Sequence, residues 1–362
     1  MSQVASQAIK HEFTTLERIV NILILNASFI DNLGLMNGKM GICIFFYHLA
    51  LKTKSKIYEE FAGELLDEIY DEISIHTPLD FENGLTGIGW GIEYLVQNGF
   101  VDVNTNDTLS EIDNMVLKGI LAKPLIINND KELYGIGLYY LARLKGKPDT
   151  DENLGLLRIK THMVYLLEDC KRLLTHNQLF DKKITALSIG QLCSVVYFLA
   201  ETYKLQLFPA LNKKLLSNIP DYIKQKAELS ASMVERFSLI QLTKSISEFT
   251  KTQISNIQKT LLFKTSHNSE ENAIPDFIKS ACYSLLYPIN YVEMRGFENL
   301  CNTACTLIKD EENWNNRIKN LNSNALCLSE GLAGIGLALL LYSDQKAKTE
   351  IIIQQNKEMI IT

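Results

Sequence analysis

Four glycine clusters in register constrain this chain more than any other feature. Asn37-Gly38-Lys39-Met40-Gly41-Ile42 recurs as Asn83-Gly84-Leu85-Thr86-Gly87-Ile88-Gly89 and again as Glu330-Gly331-Leu332-Ala333-Gly334-Ile335-Gly336. A partial copy, Tyr134-Gly135-Ile136-Gly137-Leu138, lies between them. Gly41 and Gly87 are 46 residues apart, and Gly87 and Gly135 are 48 apart. The 199 residues from Gly135 to Gly334 match four further steps of about fifty, the period of a repeat architecture. That spacing predicts three worn copies, near residues 188, 237 and 284, where Ser, Ala and Cys replace most glycines. Seven units then account for nearly all 362 residues, so residues 1–362 read as a single domain.

Each unit pairs two kinds of helix. After a glycine cluster comes a segment apolar on nearly every side, such as Ile42, Ile44, Phe45, Phe46, Leu49 and Ala50, which marks a buried helix. Before a cluster comes an amphipathic helix. In the second unit Ile57, Phe61, Leu65, Ile69 and Ile73 form its expected apolar face, opposite Glu59, Glu60, Glu64, Asp67, Glu68, Asp71 and Glu72. Only 7 prolines occur in the chain, and 46% of residues are hydrophobic, so an ordered, mostly helical protein is expected. Seven wet and seven buried helices predict an all-α fold, an (α/α)7 toroid of two concentric rings. An open solenoid of the HEAT type is the alternative with a similar period. Buried helices are expected to begin near residues 38, 84, 134, 186, 235, 279 and 331. The glycines should let helix ends pack closely, supply positive φ in the loops, and leave N–H groups free at the helix starts.

Charge and cysteine usage exclude several classes. The formal net charge is −6 with no dense Lys/Arg stripe, which argues against nucleic acid as a partner. No basic start followed by an apolar stretch marks a signal peptide. The longest apolar runs, around residues 42–51 and 335–342, are too short for a transmembrane segment. Seven scattered cysteines suit reduced thiols, and hence a cytoplasmic protein, better than a disulfide framework.

The recurring Gly-Leu-x-Gly-Ile-Gly motif on this period resembles the lanthionine synthetase C-like family. Asn83–Leu95 and Ser329–Leu340 carry the resemblance most strongly, and it extends over the full length through spacing and apolar character. It implies an α,α-toroid acting in the maturation of ribosomally made modified peptides, lantibiotics among them. In active members, a zinc-bound peptide thiolate adds to a dehydrated Ser or Thr. The ion makes physical sense, because it lowers the thiol pKa and holds the nucleophile. The resemblance also implies its ligands: a Cys before the fifth buried helix, and a Cys-His-Gly before the sixth.

This sequence departs from the family at those points. The fifth start, Ser232-Met233-Val234-Glu235-Arg236-Phe237-Ser238, has no Cys, and the sixth, Asp276–Cys282, has no His after Cys282. The fourth carries Ala186-Leu187 where active members place a His ahead of the glycine motif. The third shows Asn128, with Asp130 two residues on, where they place an Asp. Phe, Ser and Leu cannot replace thiolate and imidazole ligands. The expectation is therefore a zinc-less pseudoenzyme with no cofactor, binding a precursor peptide or a peptide-modifying enzyme as a scaffold.

Two active readings compete with it. A cyclase with an unorthodox metal site would draw on Cys301 and Cys305, or on Cys282 and Cys327. Against this, buried cysteines usually serve as small hydrophobes, and Ala304, Leu307 and Ile308 suggest a core-facing stripe. A glycoside-hydrolase-like enzyme would use Asp80 and Glu82 as its carboxylate pair. His48, in the first apolar helix, reads as a core histidine. What remains for binding is a rim at the helix starts: Asn37, Lys39, Asp80, Glu82, Asn83, Trp90, Tyr134 and Glu330. Within it, Asn37 and Asn83 also suit turns or caps, and Trp90 also suits packing beneath its loop.

Overall fold

A computed structural model of the chain describes residues 3–122, 130–146, 154–175, 187–226, 232–244, 246, 272–319 and 321–343. Among these the regular structure is entirely helical. In chain order the helices are α1 (Gln3–Asn26), α2 (Lys39–Thr53), α3 (Lys56–Glu72), α4 (Leu85–Gln97), α5 (Thr105–Thr108) and α6 (Ser110–Ala122). There follow α7 (Asp130–Lys145), α8 (Leu154–Thr175), α9 (Ile189–Lys204), α10 (Pro209–Lys226) and α11 (Met233–Lys244). The last group is α12 (Ala273–Leu286), α13 (Phe297–Lys309), α14 (Glu311–Ile318), α15 (Ser323–Leu326) and α16 (residues 332–343). No described helix is long and apolar enough to cross a membrane.

The chain divides into two compact units, one formed by Met1–Glu72 with Asn268–Thr362 and the other by Ile73–His267. In the second unit the buried helices pack side by side in chain order, α4 on α7, α7 on α9 and α9 on α11. The amphipathic helices cover them, with α6 on α4, α8 on α7 and α10, and α10 on α9. In the first unit α2 packs on α3, and α12 on α13. There α16 lies between the two, with Gly334 against Ile278 of α12 and Gly336 against the Phe45 ring of α2. The last buried helix among the described residues thus touches the first.

One joint recurs between buried helices. Gly336 of α16 meets Phe45 of α2, Gly89 of α4 meets Tyr139 of α7, and Gly137 of α7 meets Phe198 of α9. In each case a Cβ on the glycine would strike the ring of the following helix, so the missing side chain is what lets the ring seat. Buried aromatics of this size dominate the apolar stabilisation of a core.

Buried helices start at residues 39, 85, 130, 189, 233, 273 and 332. The sixth begins six residues ahead of the expected 279. Pro275 stands in its first turn, where a missing N–H costs nothing. The expected apolar face of α3 also needs correction, since Ile57 is 71% exposed and the buried residues are Ala62, Leu65 and Ile69. Strict steps of four drift around a helix of 3.6 residues per turn, so a row spanning residues 57–73 cannot stay on one face. His48, expected in the core, is only half-buried.

Candidate functional site

The loops that lead into the first two buried helices are built alike. The Lys39 N–H donates to the Asn32 carbonyl at 2.8 Å, and the Leu85 N–H donates to the Pro78 carbonyl at 2.8 Å. Each loop thus folds back so that a carbonyl seven residues upstream meets the first helical amide. A Cβ on Gly38 would collide with the Asn32 carbonyl, one on Gly84 with the Pro78 carbonyl, and one on Gly331 with the backbone of residues 324–327. Gly38 and Gly84 have φ of −143° and −135°, so close approach, rather than the expected positive φ, selects glycine here. The expectation of free helix-start amides is corrected by the same bonds, because the loop itself satisfies the leading N–H of α2 and α4.

The fourth and fifth starts solve the problem differently. Ser188 Oγ accepts from the Gln191 N–H at 3.1 Å, while the Ser188 N–H donates to Gln191 Oε1 at 2.7 Å. Ser232 and Glu235 make the same reciprocal pair, at 3.1 Å in both directions. These are capping boxes, and each satisfies two backbone groups without any glycine. The Ser-x-x-Gln and Ser-x-x-Glu spacings that announce them stand openly in the sequence.

The first unit brings two of the rim candidates together. The Ser329 Oγ donates to Asn37 Oδ1 at 2.7 Å, and the Ser329 and Leu328 N–H groups both donate to the Met36 carbonyl. Asn37 is half-buried in this junction and Glu330, the next residue along, is exposed. Lys39 points elsewhere. It is 2% exposed, and its ammonium is shared by Glu72 at 2.9 Å and Glu68 at 3.0 Å on α3. Burial alone would lower its pKa, but the two carboxylates outweigh that and raise it. A buried lysine held between two carboxylates of α3 is directed away from a peptide at the rim.

In the second unit Asp80, Glu82 and Asn83 share one loop. Asp80 Oδ1 accepts from the Glu82 N–H at 3.0 Å, the Asn83 N–H at 2.8 Å and the Asn83 amide at 3.0 Å. That carboxylate oxygen holds the turn together, which weakens the case for Asp80 as a catalytic acid or base. Trp90 is buried below the loop, edge-on to Phe81 and stacked on Tyr94 at 5.2 Å between centroids. Tyr134 belongs to α7, but its side chain lies outside the described residues, as do Asn128, Ala186, His176 and His267.

The thiols are poorly suited to nucleophilic or metal chemistry. All seven cysteines are buried. Burial pushes the Cys282 thiol up to about 12 and its Sγ–H points at the Leu328 carbonyl, whereas ligation needs a thiolate. Cys301 and Cys305 lie on the core-facing stripe of α13 with Leu300, Ala304 and Ile308. Among the described residues no three His, Cys, Asp or Glu side chains converge as a metal site. The donor sets at the fifth and sixth starts therefore do not fit the family's zinc.

A buried ionic cluster in the second unit went unread in the sequence. Arg143, 2% exposed, donates through Nη1 to Glu93 at 2.6 Å and through Nη2 to Asp113 Oδ2 at 2.8 Å. Its Nε also reaches Asp113, at 3.1 Å to Oδ2, and Tyr139 donates to Asp113 Oδ1 at 2.6 Å. The available signal was a single carboxylate, Glu93, inside the otherwise apolar run of α4.

No protein-family profile matches this sequence, and a search of curated proteins finds no match.

Proposed function

We propose that the chain is an (α/α)7 toroid of the lanthionine synthetase C-like kind. In this reading it serves in the cytoplasm as a peptide-binding or scaffold partner during maturation of a ribosomally made modified peptide, without zinc-dependent thioether chemistry. The observation that carries it is the contact of α16 with both α12 and α2, which sets the sixth, seventh and first buried helices side by side. An open solenoid has no reason to join its last helix to its first. The run of α4, α7, α9 and α11 supports the same cyclic order. The glycine–ring joint from α16 to α2 repeats those from α4 to α7 and from α7 to α9.

The chemistry follows from the helix starts. Where active relatives hold ligands, this chain has a Ser232–Glu235 capping box and a thiol driven toward its neutral form. The candidates for hydrogen bonding to an extended peptide backbone are Asn37 and Glu330 at the starts in one unit, and Asp80, Glu82 and Asn83 at the start in the other. The test supplies a dehydrated, cysteine-containing peptide with zinc and follows free thiol and peptide binding together. The reading predicts saturable binding with thiol loss no faster than in the protein-free control. Accelerated, stereoselective thiol loss would overturn it, as would the absence of binding.

A further inference from the structure

The second unit contains a cavity of about 220 Å³, lined by none of the helix-start residues discussed above. Its walls come from α5, α6, α7 and α8, and the polar side chains on them include Ser110, Asp113, Asn114, Arg143, Arg158 and His162. The space exceeds what one or two trapped waters need. The question is what chemistry the walls leave unused.

The lining's one carboxylate, and the Asn106 carbonyl beside it, are spent. Asp113 takes Arg143 on Oδ2 and both Arg143 Nε and Tyr139 on Oδ1. Asn106 Oδ1 faces Arg143 Nη2 at 3.5 Å. Arg143 is spent as well, since Nη1 serves Glu93 and Thr105. The donors are not spent. Arg158 is exposed at the cavity wall. His162 contacts the Tyr140 hydroxyl through Nδ1 at 3.4 Å. Burial together with Asp113 holds that phenol protonated, and burial lowers the His162 pKa, which favours a neutral ring. A neutral ring carries one N–H, and in the tautomer with its hydrogen on Nε2 the phenol donates to Nδ1 and the ring keeps a donor. Asn114, exposed on α6, adds an amide. Arg143 is matched by two carboxylates, Asp113 and Glu93, so Arg158 is the cation that the wall leaves over.

We propose that this cavity binds a small oxyanion-bearing molecule, one with a carboxylate or phosphate head, held by Arg158 with His162 and Asn114 completing its hydrogen bonds. Guanidinium is the side chain best matched to such groups, which it grips through two parallel bonds. The site is independent of the peptide reading, since it uses none of the rim residues.

The test titrates the full chain with inorganic phosphate and, separately, with succinate, by calorimetry and by histidine imidazole NMR. His162→Gln identifies the His162 resonance. The expected result is saturable one-to-one binding of at least one probe with a shift of that resonance, the stronger probe telling phosphate from carboxylate. Arg158→Gln, a change at an exposed position, should weaken it by about tenfold or more, as loss of a charge-assisted bond does. Lys213→Gln, exposed on α10 and outside the cavity lining, should leave it unchanged. Failure of both probes to bind would overturn the proposal. So would equal binding by Arg158→Gln, or equal weakening by Lys213→Gln.

Discussion

Arg143 shows how a single buried charge can organise its neighbourhood. Its partner Glu93 is 1% exposed on the side chain and depends on the guanidinium for neutralisation. Removing one member of such a pair strands the other, at a cost of about 3–5 kcal/mol, whereas removing both charges costs far less. Arg143→Met should therefore lower stability by about that amount in urea unfolding. Adding Glu93→Gln should recover part of the loss, a coupling that a double-mutant cycle measures directly. A loss below about 1 kcal/mol in the single variant would mean the pair is solvated and the network is not what holds α4, α6 and α7 together. Lys39 belongs to the same category at the opposite end of its helix type. Its two carboxylates, 35% and 49% exposed, make it a tether between α2 and α3 rather than a ligand-binding cation.

At the scale of the element, two devices begin the buried helices, and they fail differently when altered. The Gly84 loop has no space for a methyl group beside the Pro78 carbonyl, so Gly84→Ala must push backbone apart, at about 1–3 kcal/mol or more. The Ser232 capping box loses one side-chain bond in Ser232→Ala, worth about 1 kcal/mol. Thermal unfolding of the two variants should rank them in that order, and the reverse ranking would show that the loop yields easily. This pair also explains what could be read in advance. The starts at Gly38, Gly84 and Gly331 were legible because steric exclusion demands one residue type. The starts at Ser188 and Ser232 looked like decayed copies, because a capping box reaches the same end with unrelated residues. The sixth start was misplaced by six residues because spacing alone carries no information about where a helix nucleates. The rim candidates were the least legible part. Lys39 and Trp90 occupy rim positions in the sequence, yet tertiary neighbours, two carboxylates and two aromatic rings, turn them inward.

For the whole molecule the proposed toroid makes one demand beyond the contacts already described. Cyclic order holds along α12, α16 and α2 in one unit, and along α4, α7, α9 and α11 in the other. A closed ring needs two further joints, α2 beside α4 and α11 beside α12. Spin labels at exposed Thr53 and Asn98 report on the first joint, and labels at Lys244 and Asn290 report on the second. Neighbouring helices lie about 8–10 Å apart between axes, so two label arms added to that spacing keep each distance within about 25 Å. Pulsed electron spin resonance on the two doubly labelled proteins is the direct measurement. The account predicts narrow, short distributions for both pairs. A distance beyond about 40 Å for either pair, several helix spacings, would contradict a closed ring.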